Sequence, residues 1–143
     1  MTLQERKLTT LMRWWVGLFA AATVGFAIFP QKIIYWMNVI GYTIFKWPVR
    51  MMPNSSESFW NIMSVSLLVV LTYMAYMAQK DIRQNLGYVK VIIISKLVTS
   101  VGFLLALIFS EAYFGYLVGL VVDFTLFLIT IFYYHRTEVS RGL

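Results

Sequence analysis

These 143 residues contain no cysteine, one histidine and only three prolines. Without cysteine there are no disulfides, no thiol redox chemistry and no thiolate-bound zinc or iron–sulfur cluster. The lone His135 cannot supply two axial haem ligands, and a histidine–carboxylate metal site is unsupported. It stands beside Tyr133, Tyr134 and Arg136 at the end of an apolar run and reads as an interfacial residue. No glycine loop of the P-loop or dinucleotide type is present, and no serine sits in a nucleophile elbow. The expectation is a non-enzymatic chain with no catalytic residue, no metal and no cofactor. Charge is scarce too. Only 13% of residues are charged, against about a quarter in soluble domains.

The chain is instead 60% hydrophobic and 17% aromatic, with a mean hydropathy of +0.74. That balance belongs to integral membrane proteins. Twelve basic residues against six acidic ones give a net charge of +6. The bases flank apolar runs, as membrane topology requires, so a nucleic-acid partner is not expected.

Apolar runs near 20 residues match a hydrocarbon core about 30 Å thick. Four are present, and the spacing predicts spans over about 11–29, 59–78, 88–109 and 112–134. Arg6, Lys7 and Arg13 before the first run would suit a signal peptide; the reading adopted is a permanent span, stopped by Pro30. Ser55, Ser56 and Ser58 are candidate caps of the second span. A four-residue turn around Glu111 makes the last two spans an antiparallel hairpin.

Residues 32–47, rich in Trp36, Tyr42 and Trp47, are too short to cross and are apolar at helical spacing. They read as an interfacial amphipathic helix. Charge counting supports this. With four spans, eight basic residues (Arg6, Lys7, Arg13, Lys80, Arg83, Lys90, Arg136 and Arg141) share one side, and Lys32, Lys46 and Arg50 the other. A fifth span would split them five against six and erase the bias that the positive-inside rule predicts. The expected fold is all-α: a polytopic integral membrane protein, one four-helix domain over 1–143, with both termini cytoplasmic in a bacterial-type inner membrane.

Two charges fall inside spans. Lys96 lies 15 residues before the turn near 111 and Asp123 lies 12 after it. Their depths differ by about 4.5 Å, which a lysine stem covers, so the two are expected to pair. An unpaired central charge costs roughly 2.5–3.5 kcal/mol on insertion scales. Small residues at spacings of four, Gly17, Ala21 and Gly25 on the first span and Gly115 and Gly119 on the last, suggest close helix packing. Glu57, Asn61, Ser64, Leu68, Thr72 and Ala75 share one face of the second span, and Lys96, Thr99 and Ser100 cluster on the third. Trp14, Trp15, Trp36 and Trp47 read as interfacial anchors. Glu111 reads as a solvated turn charge and Glu57 as a first-turn acid favoured by the helix dipole.

A first span closed by "GFAIFP", a second opening with "SESFW" and a final hairpin carrying "VVDF" resemble the layout of the DoxX-like small four-helix membrane proteins. The likeness covers most of residues 10–135. It implies a four-helix fold and an accessory role beside oxidoreductases. The leading expectation is a non-catalytic accessory or structural subunit of a larger membrane assembly, its partners being the lipid bilayer and other subunits or further copies of itself. A small transporter or proton conductor centred on Lys96 and Asp123 is the alternative. A lipid-binding protein using the interfacial helix and Glu57 is a third class.

Overall fold

A computed structural model describes residues 1–47, 51–53, 58–110 and 112–142. Among these the chain forms five helices: α1 (Leu3–Ile28), α2 (Pro30–Thr43), α3 (Ser58–Lys80), α4 (Leu86–Phe109) and α5 (Phe114–Arg141). Four of them, α1, α3, α4 and α5, are long and apolar enough to cross a membrane. The protein is an all-helical integral membrane protein. The spanning helices rise roughly 35–42 Å, more than the hydrocarbon thickness, and they overrun the apolar stretches at both outer ends.

The overrun has local causes. Thr2 caps α1: its hydroxyl accepts from the Glu5 amide (3.2 Å), while the Glu5 carboxylate accepts from the Thr2 amide (2.7 Å). This reciprocal box satisfies two of the amides that a helix start leaves open, so α1 begins at Leu3 and not near residue 11. At the other end α5 continues past 134 to Arg141, where Gly142 closes it at φ 73°, a backbone region that glycine enters without penalty.

Pro30 separates α1 from α2. It has no amide to donate, which costs nothing at a first helical position, and it pushes Phe29 out of helical geometry (φ −128°, ψ 42°). At 14 residues, α2 is about 21 Å long, too short to span. It is also shifted from the expected 32–47, ending at Thr43. It runs to the start of α5, where Gly41 lies beneath Phe114; a Cβ on Gly41 would fall 2.6 Å from that ring. Asn38 pairs through its side-chain amide with both backbone groups of Met52 (2.9 and 3.0 Å). The Trp47 indole donates to the Ala112 carbonyl (2.7 Å). Together these hold the far end of the bundle.

Packing is most extensive within the pairs α1–α3 and α4–α5. Each of the four long helices buries one stripe. On α1 it is Glu5, Leu8, Thr9, Met12, Trp15 and Phe19; on α4, Val89, Ile92, Ile93, Lys96 and Ser100. These are the i, i+3, i+4, i+7 positions of a helix face. The small Ala75 and Ala78 of α3 join Leu71 in the same core. The core therefore occupies the half of the bundle that holds the termini. Toward the far end, Trp60, Met63 and Leu67 of α3 and Ile108 and Phe109 of α4 are exposed.

The polar face expected on α3 does not form an internal seam. Ser64 is exposed and donates to the Trp60 carbonyl; half-buried Thr72 donates to Leu68. Both hydroxyls are satisfied within their own helix. Asn61 and Leu68 are half-buried and Ala75 is buried. Glu57, Glu111, Ser55, Ser56 and Arg50 lie outside the described residues.

Candidate functional site

Two ionic clusters join residues of different helices. The first is the pair inside the membrane-crossing region. Lys96 on α4 is only 6% exposed, and its Nζ lies 2.8 Å from Oδ1 of Asp123 on α5. Asp123 Oδ2 accepts from the Thr99 hydroxyl. Phe19 of α1 closes the other side, its ring centroid 5.2 Å from the ammonium. Ser100 donates to the Lys96 carbonyl (2.6 Å). Helical spacing explains the grouping: Lys96, Thr99 and Ser100 are i, i+3 and i+4 on one face of α4. Each carboxylate oxygen has a donor, and the ammonium has a carboxylate and an aromatic face. Without the pairing, each charge would keep its desolvation cost with no opposite charge to offset it.

The second cluster is at the terminus end and was not anticipated. Glu5 is 2% exposed, although it occupies the first turn of α1. Arg83, in the turn between α3 and α4, donates to both of its oxygens (Nε 3.2 Å to each, Nη2 3.2 Å). Arg141, in the last turn of α5, donates through Nε to Oε1 (3.0 Å) and reaches the Ile82 and Arg83 carbonyls (3.4 and 3.5 Å). The turn aims Arg83 because Asp81 accepts from the Arg83 amide (2.9 Å) and Asn85 donates back to Met77 (2.9 Å). One carboxylate thus ties together α1, the α3–α4 turn and α5. Glu5 stands ahead of the apolar stretch of α1. The Thr2 amide above all, and after it the two arginines, hold its pKa down to about 2, against the opposing effect of burial. The signal in the sequence was "TLQE" at 2–5, a capping-box pattern that marks a helix start. That a first-turn acid would also be covered by two distant arginines is a tertiary fact.

The remaining expected residues divide. Phe103 of α4 packs where a Cβ on Gly119 would stand (2.6 Å), and Met52 crowds Gly115 (2.9 Å). Gly25 meets only Ile33 of α2, at 3.4 Å. Gly17 has nothing within 4 Å, and Gly17 and Ala21 are both exposed. The close-packing role expected of these two is therefore corrected. The buried stripe of α1 runs through Trp15 and Phe19, which turns that small-residue row outward. Trp14 is 73% exposed and Trp36 is exposed as well. Trp15 is not a surface anchor: it is 8% exposed and its indole donates to Thr130 of α5 (2.9 Å). Neighbouring positions on a helix point about 100° apart, so a Trp-Trp pair cannot serve one environment. Trp47 is half-buried against Phe114.

His135 is exposed, and among the described residues no three histidine or acidic side chains gather as metal ligands. No protein-family model, curated protein or solved structure matches the chain.

Proposed function

We propose that this protein is a non-catalytic accessory or structural subunit of a larger membrane assembly, with the Lys96–Asp123 pair acting as a clamp on the α4–α5 hairpin. The observation that carries this reading is the closed network around the pair. Both carboxylate oxygens and the ammonium are engaged by side chains of α4 and α5, and a pair that neutralises itself has no charge to pass on. The exposed apolar faces of α3 and α4 toward the far end suit lipid or a neighbouring subunit. The DoxX-like layout adds support for an accessory role.

In this reading the termini lie in the cytoplasm of a bacterial-type cell. The supporting facts are the eight basic residues assigned to that side and the contacts joining Glu5, Arg83 and Arg141 at one end of the bundle. The short α2, with its exposed Tyr35 and Trp36, lies in the opposite interface. Extraction from native membranes in mild detergent tests the proposal. A second membrane protein in fixed stoichiometry is expected; a free monomer throughout would overturn it.

A small transporter or proton conductor is the second reading, favoured by the meeting of Lys96, Thr99 and Asp123 within the span. Flux through vesicles containing the purified protein, abolished in Asp123→Asn with the fold intact, would establish it. Absence of flux in the native protein would reject it.

A further inference from the structure

We propose that the groove between the first turns of α1 and the last turns of α5 binds an anionic phospholipid, with its phosphate against Arg6 and Lys7. The groove has a volume of about 480 Å³, and its wall includes Arg6, Lys7, Thr10, Leu11 and Trp14 of α1 and Tyr133 of α5. Its polarity is graded along α1. Inward of Leu3 at its mouth come the two cations. Trp14 lies eight residues further along, about 12 Å deeper on the helix axis. A phosphate at the cations therefore places an acyl chain beside Leu11, Trp14 and Tyr133.

The charge of the groove is uncompensated. Among the described residues neither Arg6 nor Lys7 has a carboxylate partner. The acid next to them in sequence, Glu5, is turned inward and neutralised by Arg83 and Arg141. Glu138 of α5 is engaged by Tyr134 and Lys90 away from the groove. Thr10 donates to the Arg6 carbonyl (3.0 Å), which leaves the two cations to hold the phosphate. Trp14 is 73% exposed among the described residues, so its indole is open to an acyl chain lying in the groove. The inward turn of Glu5 thus does two things at once: it ties three chain segments together and strips the outer face of its acid. This inference does not rest on the accessory-subunit reading.

The full-length protein in neutral detergent is titrated with phosphatidylglycerol or with phosphatidylcholine of the same chains, and bound lipid is counted by native mass spectrometry. Phosphatidylglycerol is expected to bind in preference. Each surface cation contributes about fivefold, so Arg6→Gln/Lys7→Gln should weaken it about 25-fold and leave phosphatidylcholine unchanged. Lys80→Gln/Lys90→Gln removes the same charge elsewhere and should change little. Thr10→Trp keeps both cations and fills the groove; a loss of at least fivefold is expected, and this variant decides the matter should the double glutamine protein fail to fold. Equal binding of the two lipids overturns the proposal. So does an equal loss in the Lys80/Lys90 variant, which would reveal diffuse attraction, or complete displacement by millimolar inorganic phosphate, which would leave the acyl groove no role.

Discussion

Breaking one side of the Lys96–Asp123 pair should cost far more than removing both sides. The charges are 2.8 Å apart, a gross attraction of about 6 kcal/mol at an effective dielectric constant of about 20. Desolvation of both groups cancels most of it in the intact protein. In Asp123→Asn the attraction goes while Lys96, 6% exposed, keeps its desolvation cost. Removing one partner of a buried pair typically destabilises by about 3–5 kcal/mol. At about 3 °C per kcal/mol for a chain of this size, Tm should fall by roughly 9–15 °C. Lys96→Met should lose a comparable amount, softened because Thr99 still donates to Asp123. Lys96→Met/Asp123→Leu should recover to within about 1 kcal/mol of the native protein, since an apolar replacement of similar volume is often neutral or better. The assay is thermal unfolding of all four proteins in one detergent, read as a double-mutant cycle. A coupling energy above about 3 kcal/mol is expected. Single substitutions costing under 1 kcal/mol would mean that the lysine finds water, and a double variant as unstable as the sum of the singles would mean that the pair is not a unit. Either result refutes the reasoning.

Glu5→Gln should lower Tm at neutral pH and speed hydrogen exchange at both termini, because Arg83 and Arg141 lose their common anion. The carboxyl is depressed from 4.5 to about 2, so its contribution is complete above pH 4.5 and disappears as pH falls through about 2; the native and Glu5→Gln melting curves should converge over that window. Gly41→Ala places a Cβ 2.6–2.8 Å from Phe114 Cγ and Cβ, atoms too near the backbone to swing aside. It should cost about 1–3 kcal/mol, whereas Gly17→Ala, with open space around it, should be neutral or stabilise by about 0.5–1 kcal/mol in the same melts. Trp15→Phe loses the bond to Thr130 and should cost about 1 kcal/mol, with Trp14→Phe close to neutral; lipids brominated in the acyl chain should quench Trp14 and spare Trp15.

The four long apolar helices and the approach of Lys96 to Asp123 were legible in the linear chain. Hydrocarbon thickness, the helical rise and the position of one turn set depth along an axis, and depth is a one-dimensional quantity. Which way a helix faces is not. Gly17 and Ala21 carry a spacing suited to helix contact, yet the larger burial available to Leu8, Met12, Trp15 and Phe19 rotated α1 and left them outside. The same rotation took Trp15 into the core and pointed Trp14 outward. Glu5 was readable as a capping acid from Thr2, three residues away. Its arginines lie 78 and 136 residues further on, and only the assembled bundle brings the α3–α4 turn and the end of α5 to the start of α1. Local spacing thus determined how many helices there are and how deep each charge sits. Rotation about each helix axis, and the meeting of distant chain ends, were decided by competition among side chains for one small core, which no stretch of sequence resolves alone.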